Sequence, residues 1–123
     1  MKFSEDIGNA LYRITGYGEG WVKVNQEMLQ HSFLLGPQTL HRDWEPKSLQ
    51  ELEPRHLDPL FELGAEVIII GSDPAQNMPS PAVWRALVQN GVGFEIMGND
   101  AACRTYNILL SETRRVAAAF LLR

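Results

Sequence analysis

The chain of 123 residues carries a single cysteine, Cys103. That excludes an intrachain disulfide and a cysteine-based zinc site, and makes a reducing compartment the simplest setting. Positive charge is also scarce. Eleven Lys and Arg stand against 15 Asp and Glu, for a net charge of −4, and the densest basic spot is Arg114-Arg115. Nucleic-acid backbones require a concentrated basic field, so no nucleic-acid partner is expected. Long hydrophobic runs are missing as well. The longest, 67–70 and 116–122, fall far short of a bilayer's thickness, so membrane insertion is not expected. The opening Met1-Lys2-Phe3-Ser4-Glu5-Asp6 has acids early and no apolar stretch. It predicts neither a signal nor a transit peptide, and hence a cytoplasmic location.

Catalytic constellations are equally sparse. The three histidines, His31, His41 and His56, have no i, i+4 partner and no HExxH context, so no metal site is expected and they read as strand-surface or solvated residues. No GxSxG elbow surrounds Ser72 or Ser111, and neither GxGxxG nor GxxxxGK[ST] occurs. The expectation is no catalytic residues and no cofactor.

What is present is a globular composition, 45% hydrophobic and 21% charged, long enough for one core. No internal repeat or low-complexity tract interrupts it, and the texture changes near residue 48. The first half reads as short antiparallel strands: 10–15 ending at Gly16, then Trp21–Val24, then 30–35 with His31, Phe33 and Leu35 on one face, then 38–44. The second half reads as α/β. Ser48 and Glu51 have the spacing of a capping box for a helix at about 48–53, limited by Pro54. Asp58-Pro59 suggests an N-cap and first position for a helix at 59–63, ended by Gly64. Strands at about 66–70, 92–97 and 116–122 alternate with helices at 81–90 and 100–113. Ser80-Pro81 opens the first helix, Gly91 follows it, and Asn99 or Asp100 caps the second. Continuous apolarity at 67–70 and 116–122 marks central strands buried on both faces. The predicted fold class is α/β: one domain over 1–123, a mixed sheet with parallel central strands, and helices on at least one face.

In open α/β sheets, ligands sit beyond the carboxyl ends of the parallel strands. Loops after strands 66–70 and 92–97 would bring Ser72, Asp73, Asn99, Asp100 and Arg104 to one edge, beside helix N-termini. The competing reading makes Asp73 a turn residue and Asn99 or Asp100 a cap, and the two acids would repel a phosphate. Cys103 lies in a helix's first turn, where a thiolate is favoured, yet the small Ala101-Ala102 beside it points to burial against the sheet. Glu95, inside an apolar strand, reads as facing out from an edge strand. Trp21, Trp44 and Trp84 read as core or interface anchors.

Several segments together carry a resemblance. They are Val67-Ile68-Ile69-Ile70-Gly71, the helix opened by Pro81, Gly91-Val92-Gly93-Phe94-Glu95-Ile96-Met97, Ala101-Ala102-Cys103-Arg104-Thr105-Tyr106-Asn107-Ile108-Leu109, and Arg115-Val116-Ala117-Ala118-Ala119 with Glu112 before it. In these the chain resembles the Mth-type domain family over about 10–122, most specifically in 102–109. The resemblance implies a layered β/β/α-like domain without established enzyme activity, whose best-understood members work as assembly or adaptor proteins. The family's commoner Gly-Thr-Gly or Gly-Ser-Gly after the first parallel strand is here Gly71-Ser72-Asp73. Two functions are therefore weighed. One is a protein-interaction or assembly domain, with another protein or a second copy as partner, drawing on the strand-rich half with Trp21, Phe33 and Trp44. The other is a small-molecule or anion binder, even an enzyme, at the strand-end edge.

Overall fold

Strands that are apolar at every position need cover on both faces, and two such strands organise this molecule. The computed structural model describes residues 10–72 and 78–123. In it β6 (Val67–Ser72) and β8 (Val116–Phe120) lie side by side in parallel, with Ile69 opposite Ala118 and Ile70 opposite Ala119. β7 (Gly93–Gly98) extends the parallel set beyond β6. On the other flank, β4 (Phe33–Gly36) pairs antiparallel with β8 and β5 (Thr39–His41) with β4. The five-stranded order is β5-β4-β8-β6-β7. The change of texture near residue 48 is thus no boundary, because β4 and β5 complete the sheet begun by the second half.

A smaller antiparallel sheet, β1 (Ile14–Gly18), β2 (Trp21–Val24) and β3 (Glu27–Leu29), shares one face of the large sheet with helix α3 (Asn99–Ser111). Phe33, Leu35, Ile69, Ala118 and Phe120 point into that layer. Leu34, Ile68, Ile70, Ala117 and Ala119 point the other way. They meet a 3₁₀ turn (Pro54–Leu57), α1 (Asp58–Phe61) and α2 (Pro81–Asn90). The result is the expected mixed α/β domain in layers.

Local expectations fare unevenly. α2 spans the predicted residues: Ser80 Oγ accepts from Val83 N–H at 3.3 Å, and Gly91 closes it at φ +81°. The parallel strands shift by at most two residues. The first strand does not end at Gly16 but runs through it to Gly18, because the Trp21 indole from β2 lies across both glycines. A Cβ on Gly18 would run into that ring. The expected strand at 30–35 begins only at Phe33, since the chain leaves β3 at Leu29 and buried Ser32 redirects it between sheets. Its hydroxyl accepts from Leu122 N–H at 2.9 Å and donates to Leu122 O at 3.2 Å. His31 is exposed, while Phe33, Leu34 and Leu35 are all buried.

No helix forms at 48–53. Ser48 Oγ accepts from Glu51 N–H, and Glu51 accepts from Lys47 N–H, but the turn they close has no room to propagate before Pro54. The next helical start comes earlier than expected, with Glu53 as its cap and Pro54 first. Asp58 therefore closes the 3₁₀ turn and begins α1 at φ −55°, ψ −50°, and Leu57 takes the N-cap place expected for it. At α3 the cap position falls to Gly98, so neither Asn99 nor Asp100 caps the helix.

Ile69 is fully buried between layers. An aspartate there leaves an unpaired charge in the core, so Ile69→Asp is expected to lose about 3 kcal/mol or more of stability. Urea unfolding followed by fluorescence checks this: a soluble variant with an unchanged midpoint contradicts the central placement of β6.

Candidate functional site

The segment 102–109, where the sequence is most distinctive, belongs to α3, and its polar side chains hold the small sheet in place. Asn107 brackets the backbone of Ile14: Oδ1 accepts from Ile14 N–H at 3.2 Å and Nδ2 donates to Ile14 O at 2.7 Å. The side-chain amide thus pairs with β1 as another strand would. Tyr106 is fully buried and donates its hydroxyl to Tyr12 O at 3.1 Å. Arg104 NH1 donates to Tyr17 Oη at 3.1 Å. Sequence reasoning missed this clamp, although an asparagine inside a helix, where it is a poor helix former, was a signal.

Of the residues expected at the strand-end edge, Ser72 is buried at the end of β6, opposite Gly98. Asp73 lies outside the described residues. Asn99, in the first turn of α3, is more than nine-tenths buried. Its Nδ2 donates to Leu121 O at 3.1 Å, while its Oδ1 lies over Gly71 with no hydrogen-bond donor. A Cβ on Gly71 would collide with that oxygen and stand 3.0 Å from Ala102 Cβ, so glycine lets α3 approach β6. Asp100 is exposed, and Arg104, one turn on, is held by β1. Ser72 and Asn99 are thus brought together by the pairing of β6 with β7.

Cys103 is buried on the sheet side of α3. Burial, reinforced by the Asp100 carboxylate and opposed by Arg104, pushes its thiol up from 9.0 to about 12. A nucleophilic thiolate needs the opposite shift. His56, contrary to a solvated reading, is buried in the 3₁₀ turn. Its Nδ1 accepts from Glu53 N–H at 2.9 Å, which puts the neutral ring's proton on Nε2, 3.2 Å from Glu45 Oε1. Both ring nitrogens are occupied by structure, and Trp44 Nε1 donates to His56 O at 2.9 Å.

Two of the three aromatics expected at an interface are internal: Phe33 stacks on Phe120 with centroids 5.0 Å apart, and Trp44 is buried, while Trp21 is half-buried. The exposed apolar face lies elsewhere. Met78, Trp84 and Val88 are 60%, 40% and 55% exposed and line a groove of about 600 Å³ along α2 with Pro81 and Arg85. Trp84 packs edge-on against Phe94 of β7, so this face continues onto the end of the large sheet.

This arrangement defines a class: a layered α/β domain whose helix α3 clamps the small sheet and whose exposed apolar groove runs along α2. The chain belongs to the DUF498/DUF598 family of proteins of unknown function, whose pattern matches residues 14–121. It is an Mth-type domain. A Bordetella parapertussis crystal structure is 35% identical with a TM-score of 0.84, covering 93% of this chain and 98% of that one. A Xanthomonas campestris solution structure is 41% identical with a TM-score of 0.81, covering 90% and 84%. A "13 kDa major membrane protein" of Francisella tularensis is 27% identical, covering 95% of this chain and 96% of its own length. Among the described residues, no helix here is long and apolar enough to cross a membrane. An NADH dehydrogenase assembly factor of Drosophila melanogaster is also 27% identical, over 88% of this chain. The chain spans 57% of that protein and 61% of its Bos taurus counterpart.

Two outcomes are expected. Asn107→Ala removes both bonds to Ile14 and should cost about 1–3 kcal/mol, with hydrogen exchange at β1 amides rising first. Cys103 should resist thiol reagents until the fold opens. Because its folded pKa is raised, its contribution to stability is complete below pH 9.0 and lost as pH climbs toward 12, at about 1.4 kcal/mol per pH unit. Buried Tyr106, also raised by desolvation, acts in the same direction. Urea midpoints from pH 8 to 11 that fall less steeply in Cys103→Ala than in the wild type would bear this out.

Proposed function

We propose that this domain works by binding another protein, as an interaction or assembly module of the cytoplasm, and not by catalysis. The observation that carries the reading is the apolar face of α2, where Met78, Trp84 and Val88 stand in solvent beside the end of the sheet. Contiguous exposed apolar surface is the usual material of an interface. Three of the groups that could serve chemistry are engaged in folding: Arg104 with Tyr17, His56 with Glu45 and Glu53, and Cys103 in the core. The insect and bovine relatives are NADH dehydrogenase assembly factors, which points the same way. The net charge of −4 disfavours nucleic acid.

A second reading keeps one specific observation in its favour. Among the described residues Asn99 Oδ1 is a buried acceptor without a donor, one residue on from Gly98, which pairs with Ser72, and in the same helix as Asp100 and Arg104. An acceptor calls for a ligand N–H or O–H, so a small-molecule site here would prefer a hydrogen-bond donor to an anion.

The test is the native size of the tagged chain in extracts of its source cells. The wild type is expected to migrate in a larger complex. The Trp84→Ala/Val88→Ser variant, altered only at exposed positions, is expected to migrate as the free 123-residue chain. A wild type that migrates alone overturns the interaction reading. A small molecule that raises its melting temperature, with the effect lost in Asn99→Ala, would put the second reading in its place.

A further inference from the structure

Resting on the interaction reading, we propose that the partner adds a β-strand to the free edge of β7, and that this strand carries a Lys or Arg opposite Glu95 between two apolar residues. Among the described residues β7 pairs only with β6, so its other edge presents an unpaired row of backbone donors and acceptors. Edge strands are ordinarily protected by charged side chains, above all lysine, or by proline, a bulge or shortness, and β7 has one such charge, Glu95. β7, with the sequence Gly93-Phe94-Glu95-Ile96-Met97-Gly98, is six residues long and has neither lysine nor proline, and its register with β6 is unbroken. Such an edge is built to accept a strand.

The side chains specify what the strand carries. Phe94 and Ile96 sit on the α2 face and are only half-buried, while the central strands beside them are sealed. Trp84, its ring 5.2 Å from Phe94 between centroids, extends that face outward. An added strand would place alternate residues over Phe94, Ile96 and Trp84, and apolar ones would complete the layer. The residue between them falls on the opposite face beside Glu95. Glu95 is exposed and has no ion-pair partner among the described residues, unlike Glu27, Glu45 and Glu66, each held by an arginine. A free carboxylate inside an apolar edge selects a cation across from it. β7 of a second copy brings no cation, and pairing two β7 strands about Glu95 would oppose two carboxylates, so the occupant is a different protein.

The test titrates isotope-labelled protein with two capped peptides, Thr-Val-Lys-Val-Thr and Thr-Val-Glu-Val-Thr, while amide and indole resonances are followed. The lysine peptide is expected to shift residues 93–98 and the Trp84 indole, and to bind roughly five- to tenfold tighter than the glutamate peptide, as one exposed charge pair gained against a repulsive one allows. Glu95→Lys should invert the order, Glu95→Gln should equalise the peptides, and Trp84→Ala should weaken both. Equal binding of both peptides to the wild type, shifts confined to other surfaces, no binding at millimolar peptide, or concentration-dependent dimerisation by sedimentation would each overturn the proposal. Native size separates the two levels. A large complex that persists in Glu95→Lys removes the strand and its cation but keeps the interaction reading, whereas a wild type that migrates alone removes both.

Discussion

The pairing of β6 with β8 is the constraint on which the rest depends. Every side chain of 68–70 and 116–120 is shielded from water, so each face of that pair requires a complete layer. The chain supplies the layers from different places. The 3₁₀ turn, α1 and α2 close one side, and α3 with the small sheet closes the other. The alanines at 117–119 let both layers approach, and Gly71 does the same where α3 begins. A protein of this size has no spare apolar surface for a second core, so strands from its first 50 residues must join the sheet that its last 60 begin.

The small sheet is the less self-sufficient part. Three short strands do not bury enough to stand alone, and here they are fastened by polar bonds from α3 as well as by Ile14, Val22, Val24 and Leu29 in the shared core. That gives the Arg, Tyr and Asn of 102–109 a structural role. Those residues substitute for the hydrogen-bonding partners that β1 would otherwise find in another strand. Distinctive polar residues in a helix are easily read as chemistry, yet in this fold their geometry is that of attachment.

With those groups engaged, what remains open is the far end of the large sheet. β7 is paired on one side with β6 and packed in part by α2 on one face and by α3 at Met97 on the other, and its outer edge and Trp84 are left to solvent. The same layering that closes the centre of the sheet therefore leaves the half-buried Phe94 and Ile96 and an unpaired strand edge together at that end, beside Trp84. Function in such a domain follows from where the cover stops.

Much of this was legible in the residues. Unbroken apolarity at 67–70 and 116–122 determined that both strands are central, because only burial on both faces tolerates it, and Ser80, Pro81 and Gly91 determined α2 to the residue. Cys103 beside two alanines determined a buried thiol. Other features had no local signature. Gly16 read as a chain breaker, and only the Trp21 ring lying across Gly16 and Gly18 makes both strand residues. Ser48 and Glu51 make their capping bonds without a helix, since Pro54 and the burial of Leu49 and Leu52 prevail. Phe33 and Trp44, chemically fit for an interface, became core, and Trp84 became surface, because exposure is set by which layer covers an element and not by the residue itself. The long-range bonds of Asn107 to Ile14 and of Asn99 to Leu121 likewise exist only once the chain has folded back, when residues 93 and 22 positions apart become neighbours.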